Sequence, residues 1–200
     1  MKSTGETLNL EEKVFAIADQ FDHQGKIVQI KSFGNGNIND TFLVDLDGQT
    51  QTSFILQRIN HQVFKNPAAV MGNMVRVTTH IKRKLQRQPL ERPWLMPEVI
   101  LTKNNQDHWD SGTGEFWRAI SFIAGSESFD ILTDPAQAKE VGTALGIFHQ
   151  LLSDLSPSQL VDTLPGFHHT PVYLQQYQQA LAQSPRLTGS LSPEINHCQG

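Results

Sequence analysis

Ser32-Phe33-Gly34-Asn35-Gly36-Asn37-Ile38-Asn39-Asp40-Thr41 is the stretch on which the reading of this chain turns. Before it, residues 26–33 (KIVQIKSF) are short and β-branched, and after it residues 41–46 (TFLVDL) read as a second strand. Paired glycines let the backbone approach a phosphate and aim its N–H groups at the oxygens. A lone Gly-x-Gly is more often a simple turn. A dinucleotide fingerprint needs a third glycine and a helix straight after the loop. Asn39 stands at that third position and a strand follows, so the fingerprint is excluded. No Gly-Lys-Ser/Thr is present, which excludes a P-loop. Asp47-Gly48 reads as a type I′ hairpin turn, and residues 52–59 (TSFILQRI) return as a third strand.

Further out the pattern becomes mixed. Asn9 and Glu12 have the form of a capping box, and Leu10, Val14, Ile17 and Phe21 make one helical face. Asn66-Pro67 opens a helix whose buried stripe is Val70, Met74, Val77, Ile81 and Leu85. Residues 97–103 read as a fourth strand and 116–123 (FWRAISFI) as a fifth, with turn residues Asn104-Asn105 and 111–114 between them. Ala124-Gly125-Ser126 reads as a hinge. Asp134-Pro135 starts a helix with Ala138, Val141, Leu145, Phe148 and Leu152 on one face. Thr170-Pro171 starts another, with Tyr173, Tyr177 and Leu181 expected to be buried. Ser192-Pro193 repeats the start signal, and the sequence is expected to be cut short at Gly200. Strand, glycine loop, strand, turn, strand and helix follow each other as in a kinase-like nucleotide lobe.

Composition narrows the function classes. The 200 residues carry 16 Lys and Arg against 20 Asp and Glu, a net charge of −4, with 38% apolar residues. That balance fits a globular chain and not a generic nucleic-acid binder. No apolar run reaches spanning length, and with its polar start (Met1 to Glu6) no secretory signal is expected. The single cysteine, Cys198, allows no internal disulfide or thiolate metal site, so a cytoplasmic setting is expected. Between Gly48 and Leu90 there is no acid, while Arg58, Lys65, Arg76, Lys82, Arg83, Lys84 and Arg87 all fall there. Two readings of this segregation stand: an anionic ligand such as phosphate, or a solvated helix face whose counter-charges lie on a neighbouring surface.

Several separate blocks carry a resemblance. They are 32–41, Phe54-Ile55-Leu56-Gln57-Arg58-Ile59-Asn60, Val63-Phe64-Lys65-Asn66-Pro67, Val70-Met71-x-Asn73, 116–126 and Leu164-Pro165-Gly166-Phe167-His168-His169-Thr170-Pro171. In this order they resemble the aminoglycoside phosphotransferase and choline kinase superfamily, and within it N-acetylhexosamine 1-kinases. The resemblance runs up to about Arg186. It implies an α+β, protein-kinase-like fold: residues 1–124 a nucleotide-binding lobe with a five-stranded antiparallel sheet and a helix, residues 125–200 the first helices of an incomplete helical lobe. It implies ATP and Mg²⁺ as cofactors of the intact enzyme, and an amino sugar or similar small hydroxyl compound as substrate. Neither nucleic acid nor membrane is an expected partner.

The resemblance also implies roles. Gly34, Asn35, Gly36, Asn37 and Asn39 would cover the nucleotide phosphates. Gln57 or Arg58 would sit where such folds place a cation on the α- and β-phosphates. Strand alternation turns only one of them to the site, and charge favours Arg58. Kinases pair that cation with an acid of the next helix, yet none lies between Asn66 and Gln88, and Gly72 stands where relatives often carry Glu. Ser121 and Ile123 belong to the connector whose backbone would meet adenine, the other reading being an ordinary strand end. Phe167 and His168 would contact the sugar, with a helix-entry role for His168 as the plainer reading.

Phosphoryl transfer also needs an Asp to accept the hydroxyl proton and ligands for Mg²⁺. The one His-x-Asp, His108-Trp109-Asp110, has no Asn five residues beyond the Asp and reads as a turn. No catalytic or metal residue is therefore assigned, and the chain is expected to be an inactive N-terminal fragment of the kinase. The alternative is a non-catalytic kinase-like binding module.

Overall fold

The computed structural model describes residues 9–183, apart from 35, 49–51, 113, 128 and 130. The chain divides into two compact units, Met1–Thr163 and Leu164–Gly200. The first unit begins with α1 (Leu10–Ala18), where the side chain of Asn9 accepts from the Glu12 N–H at 2.8 Å and Glu12 reaches back to the Asn9 N–H at 3.0 Å. This is the expected capping box, which satisfies two orphan donors of the first turn.

Strands β1 (Ile27–Ser32), β2 (Asp40–Leu46) and β3 (Ser53–Ile59) follow, then α2 (Pro67–Arg87), β4 (Val99–Ile100), β5 (Trp109–Asp110) and β6 (Phe116–Ser121). All pairings are antiparallel, in the order β1-β2-β3-β6-β4, with β5 also on β6. Among the described residues the sheet thus has six strands, one more than expected from the sequence. The addition is β5: Trp109 and Asp110 pair with Trp117 and Phe116, so the His108-Trp109-Asp110 triplet enters a strand and does not form a turn.

The fourth strand is shorter than the expected 97–103. Past Ile100 the backbone turns its hydrogen bonds away from β6, because the Leu101 carbonyl accepts from the Asp22 N–H (2.7 Å) and the Lys103 N–H donates to the Gln20 carbonyl (2.9 Å). The β2–β3 connection also differs. Asp45 pairs with Ser53 and the Leu46 N–H donates to the Thr52 carbonyl, a pairing that does not close around a two-residue Asp47-Gly48 turn. Asp47 instead serves β1: its N–H donates to the Lys26 carbonyl and its carboxylate accepts from the Lys26 N–H at 2.6 Å.

The two faces of the sheet have different covers. Val14, Ile17, Ala18 and Phe21 pack with Val44, Phe54, Leu56, Trp117 and Ala119 in a core from which water is excluded. On the opposite face Met71 of α2 is buried against Ile59 and Phe116, with Met74 and Val99 beside them. Of the stripe expected on α2, Ile81 is fully buried, while Met71, which the periodic reading passed over, supplies the other buried side chain. Strand alternation explains the division: Phe54, Leu56 and Arg58 point one way, and Ile55, Gln57 and Ile59 the other.

Helix α3 (Pro135–Leu152) starts at the expected Asp134 cap, whose side chain accepts from the Ala136 N–H at 2.8 Å. Only Leu151 is buried on it, and Val141 and Leu145 of the expected apolar face are exposed among the described residues. In the second unit, α4 (Thr170–Gln183) has no buried residue. The expected burial of Tyr173 and Tyr177 is not found, since they are 48% and 38% exposed.

Candidate functional site

The glycine loop joins β1 to β2 as the sequence implies. Its base is closed by the Phe33 N–H donating to the Thr41 carbonyl at 2.9 Å. Gly34 takes φ +76°, and a Cβ built there meets nothing within 4 Å, so the backbone stands open on that side. A Cβ on Gly36 comes no closer than 4.0 Å to its nearest neighbour, the Asn39 carbonyl. The Asn39 side-chain oxygen accepts from the Asn60 N–H at 3.0 Å, tying the end of the loop to the end of β3. Asn35 lies outside the described residues.

The register separates the two β3 candidates. Arg58 pairs with Trp117, and its guanidinium carbon lies 5.9 Å from that ring on the face covered by α1. Its Nε donates to Asp40 at 2.7 Å and its Nη1 to Glu115 at 3.1 Å, while Lys13 of α1 reaches the same Glu115 oxygen at 2.8 Å. Burial pulls the Arg58 pKa down, but the hydrogen bond and charge of Asp40, then those of Glu115, leave it raised. The Lys13 hydrogen bond, followed by that of Arg58, outweighs burial and lowers Glu115. Two cations and two carboxylates close this network on itself. A cavity of about 490 Å³ beside it is bounded by Asn37, Ile38, Arg58 and Asn60 together with both acids. The loop and Arg58 therefore share a cavity, but its cation is already neutralised.

Gln57 faces the other way. Its Nε2 donates to the Thr41 hydroxyl at 2.9 Å, and its carbonyl oxygen accepts from Arg118 Nε at 3.0 Å and Nη2 at 2.7 Å. Arg118 is the cross-strand partner of Gln57 on β6, and its Nη1 lies 3.5 Å from the Met74 sulfur of α2. Burial lowers its pKa, and none of the ion pairs among the described residues includes it. Sequence reading placed Arg118 only inside a strand. The available signal was a lone cation between apolar neighbours in FWRAIS.

The remaining candidates are placed as follows. Ser121 ends β6 with its N–H on the Glu98 carbonyl and its hydroxyl accepting from the Glu98 N–H, both at 2.8 Å. The Ile123 carbonyl accepts from the Ser126 hydroxyl at 2.9 Å. In the second unit the Phe167 and His168 rings lie 4.0 Å apart, with His168 at φ +60° where the chain turns into α4. On α2 two of the basic residues find counter-charges nearby: Lys82 on Glu98 and Lys84 on Asp154, at 2.8 and 2.6 Å. For these two the solvated-face reading holds. The Lys84 hydrogen bond, with help from His80, brings Asp154 down to about 2. Asn73 spans from α2 to Val161, donating to its carbonyl (2.7 Å) and accepting from its N–H (3.0 Å). A larger cavity, about 530 Å³, lies between α2 and residues 94–101 and takes no wall from the loop or β3.

Among the described residues no group of three or more His, Cys, Asp or Glu is placed to hold a metal ion. No described helix is long and apolar enough to cross a membrane.

An antiparallel sheet whose first two strands flank a glycine loop, with a helix after the third, has the layout of a kinase-like lobe. Residues 29–197 match the phosphotransferase enzyme family, and the chain belongs to it. The match supports the aminoglycoside phosphotransferase and choline kinase resemblance and a small-molecule kinase-like function, at a level coarser than any acceptor.

Proposed function

We propose that residues 1–124 are the nucleotide-binding lobe, and residues 125–200 the opening of the helical lobe, of a kinase that moves the γ-phosphate of ATP onto the anomeric hydroxyl of an N-acetylhexosamine or similar amino sugar. The observation that carries this reading is the family match over residues 29–197, which takes in the glycine loop, β3 and α2 together. The open backbone at Gly34 supports a loop that lies over phosphates. Gly36 and Asn37 continue that surface, and Asn39 holds it to β3. The segment from Ser121 to Ile123 would border the adenine, and Phe167 and His168 the sugar. The proton-accepting Asp and the Mg²⁺ ligands are not assigned to any residue of this chain, so the chain alone is expected to turn over little or no ATP.

Calorimetric titration of the chain with ATP, and with adenosine, tests the reading. Saturable, micromolar binding of ATP supports it. Binding of neither compound refutes it, and favours the second reading, a kinase-like module acting through protein contacts. That alternative draws on one observation: α2 offers no acid to position a phosphate-bound cation.

A further inference from the structure

Across three strands, Thr41, Gln57 and Arg118 form a polar row on the α2 face of the sheet. The row begins at the second residue after the glycine loop and ends at a guanidinium with no carboxylate partner among the described residues. The opposite face is filled by α1 and its core, and the two cations beside the loop there, Arg58 and Lys13, already hold Asp40 and Glu115.

Taking the nucleotide reading above as its basis, we propose that Arg118, oriented by Gln57, is the residue that binds the phosphates of the nucleotide in this chain, in place of a cation on β3. A partly buried cation away from any acid is costly, and an anion supplies the missing partner. The Gln57 carbonyl fixes the guanidinium by taking two of its N–H groups, and the Met74 sulfur is only a weak acceptor. N–H groups therefore remain for phosphate oxygens, in the planar geometry that suits them. Because Gln57 is also bonded to Thr41, the same amide connects the guanidinium to the root of the loop.

The test compares ATP, adenosine and tripolyphosphate binding by the 200-residue chain and its variants. Arg118→Gln should weaken ATP about ten- to a hundredfold, the range of a lost charge-assisted hydrogen bond, and leave adenosine unchanged. Tripolyphosphate should compete with ATP on the wild type and not on the variant. Arg118→Lys should recover part of the loss. Gln57→Glu, which sets a carboxylate against the guanidinium, should weaken ATP about tenfold and serves if Arg118→Gln fails to fold. Arg87→Gln, in the last turn of α2, should change nothing. ATP binding unaltered in both Arg118→Gln and Gln57→Glu, or abolished only by Arg58→Gln, overturns the assignment and leaves the nucleotide reading standing. A wild type that binds neither ATP nor adenosine refutes both.

Discussion

Asn73 is the place to test how the helix after β3 is secured. Its amide makes two hydrogen bonds with the backbone of one residue, Val161, 88 positions away. Each net hydrogen bond contributes about 0.5–1.5 kcal/mol, so Asn73→Ala forfeits about 1–3 kcal/mol. Alanine is a better helix former than asparagine by about 0.6 kcal/mol, which offsets part of that. The net loss is then about 0.5–2.5 kcal/mol, and toward the lower end because the contact is open to water. Asn73→Asp keeps an acceptor for the Val161 N–H but sets a carboxylate against the Val161 carbonyl, so it should not rescue. Urea unfolding gives the stability change, and amide exchange at Val161 reports the local one. If Asn73→Ala unfolds at the wild-type midpoint and Val161 keeps its protection, the bridge is not a source of stability.

Three further outcomes are expected. Gly72→Ala should stabilise the chain by about 0.5–1 kcal/mol in thermal or urea unfolding, since the added Cβ meets only the mobile end of Arg76 at 3.4 Å. Gly25→Ala should cost at least about 2 kcal/mol in the same assay, because Gly25 sits at φ +117° and its Cβ would lie 2.8 Å from the Gly48 backbone nitrogen. Asp154 is held down to about 2 in the folded chain by the Lys84 hydrogen bond, then by a backbone N–H and His80, below its unfolded value near 4. Its contribution is therefore present above about pH 4 and lost as the pH falls toward 2, so the stability gap between wild type and Asp154→Asn should close over that window.

Features set by neighbours in sequence were legible in it. The Asn9–Glu12 box and the Asn66-Pro67 and Asp134-Pro135 starts are decided within a few residues, and all three appear where expected. Features set at long range were not. Two-residue β5 exists only because Trp117 and Phe116 pair with it, and β4 stops early because Leu101 and Lys103 find partners beside α1. The site shows the same boundary. Alternation states that Gln57 and Arg58 face opposite ways, but not which face α2 covers. Choosing by charge led to Arg58, whereas its acids Asp40 and Glu115 reach it only through the sheet register. Arg118 stayed unnoticed because its partner Gln57 is 61 positions away. Periodicity on α4 marked an apolar side without stating that anything covers it.

The pairing of β3 with β6 has a kinetic consequence. Strands β1, β2 and β3 form a meander of low contact order, whereas β6 must return across the whole of α2 to reach β3. Loop-closure entropy makes that return the slower event. Until it happens, the inner backbone edge of β3 stands unpaired and open to any other chain, so the nascent protein is most prone to aggregate just before Phe116–Ser121 docks.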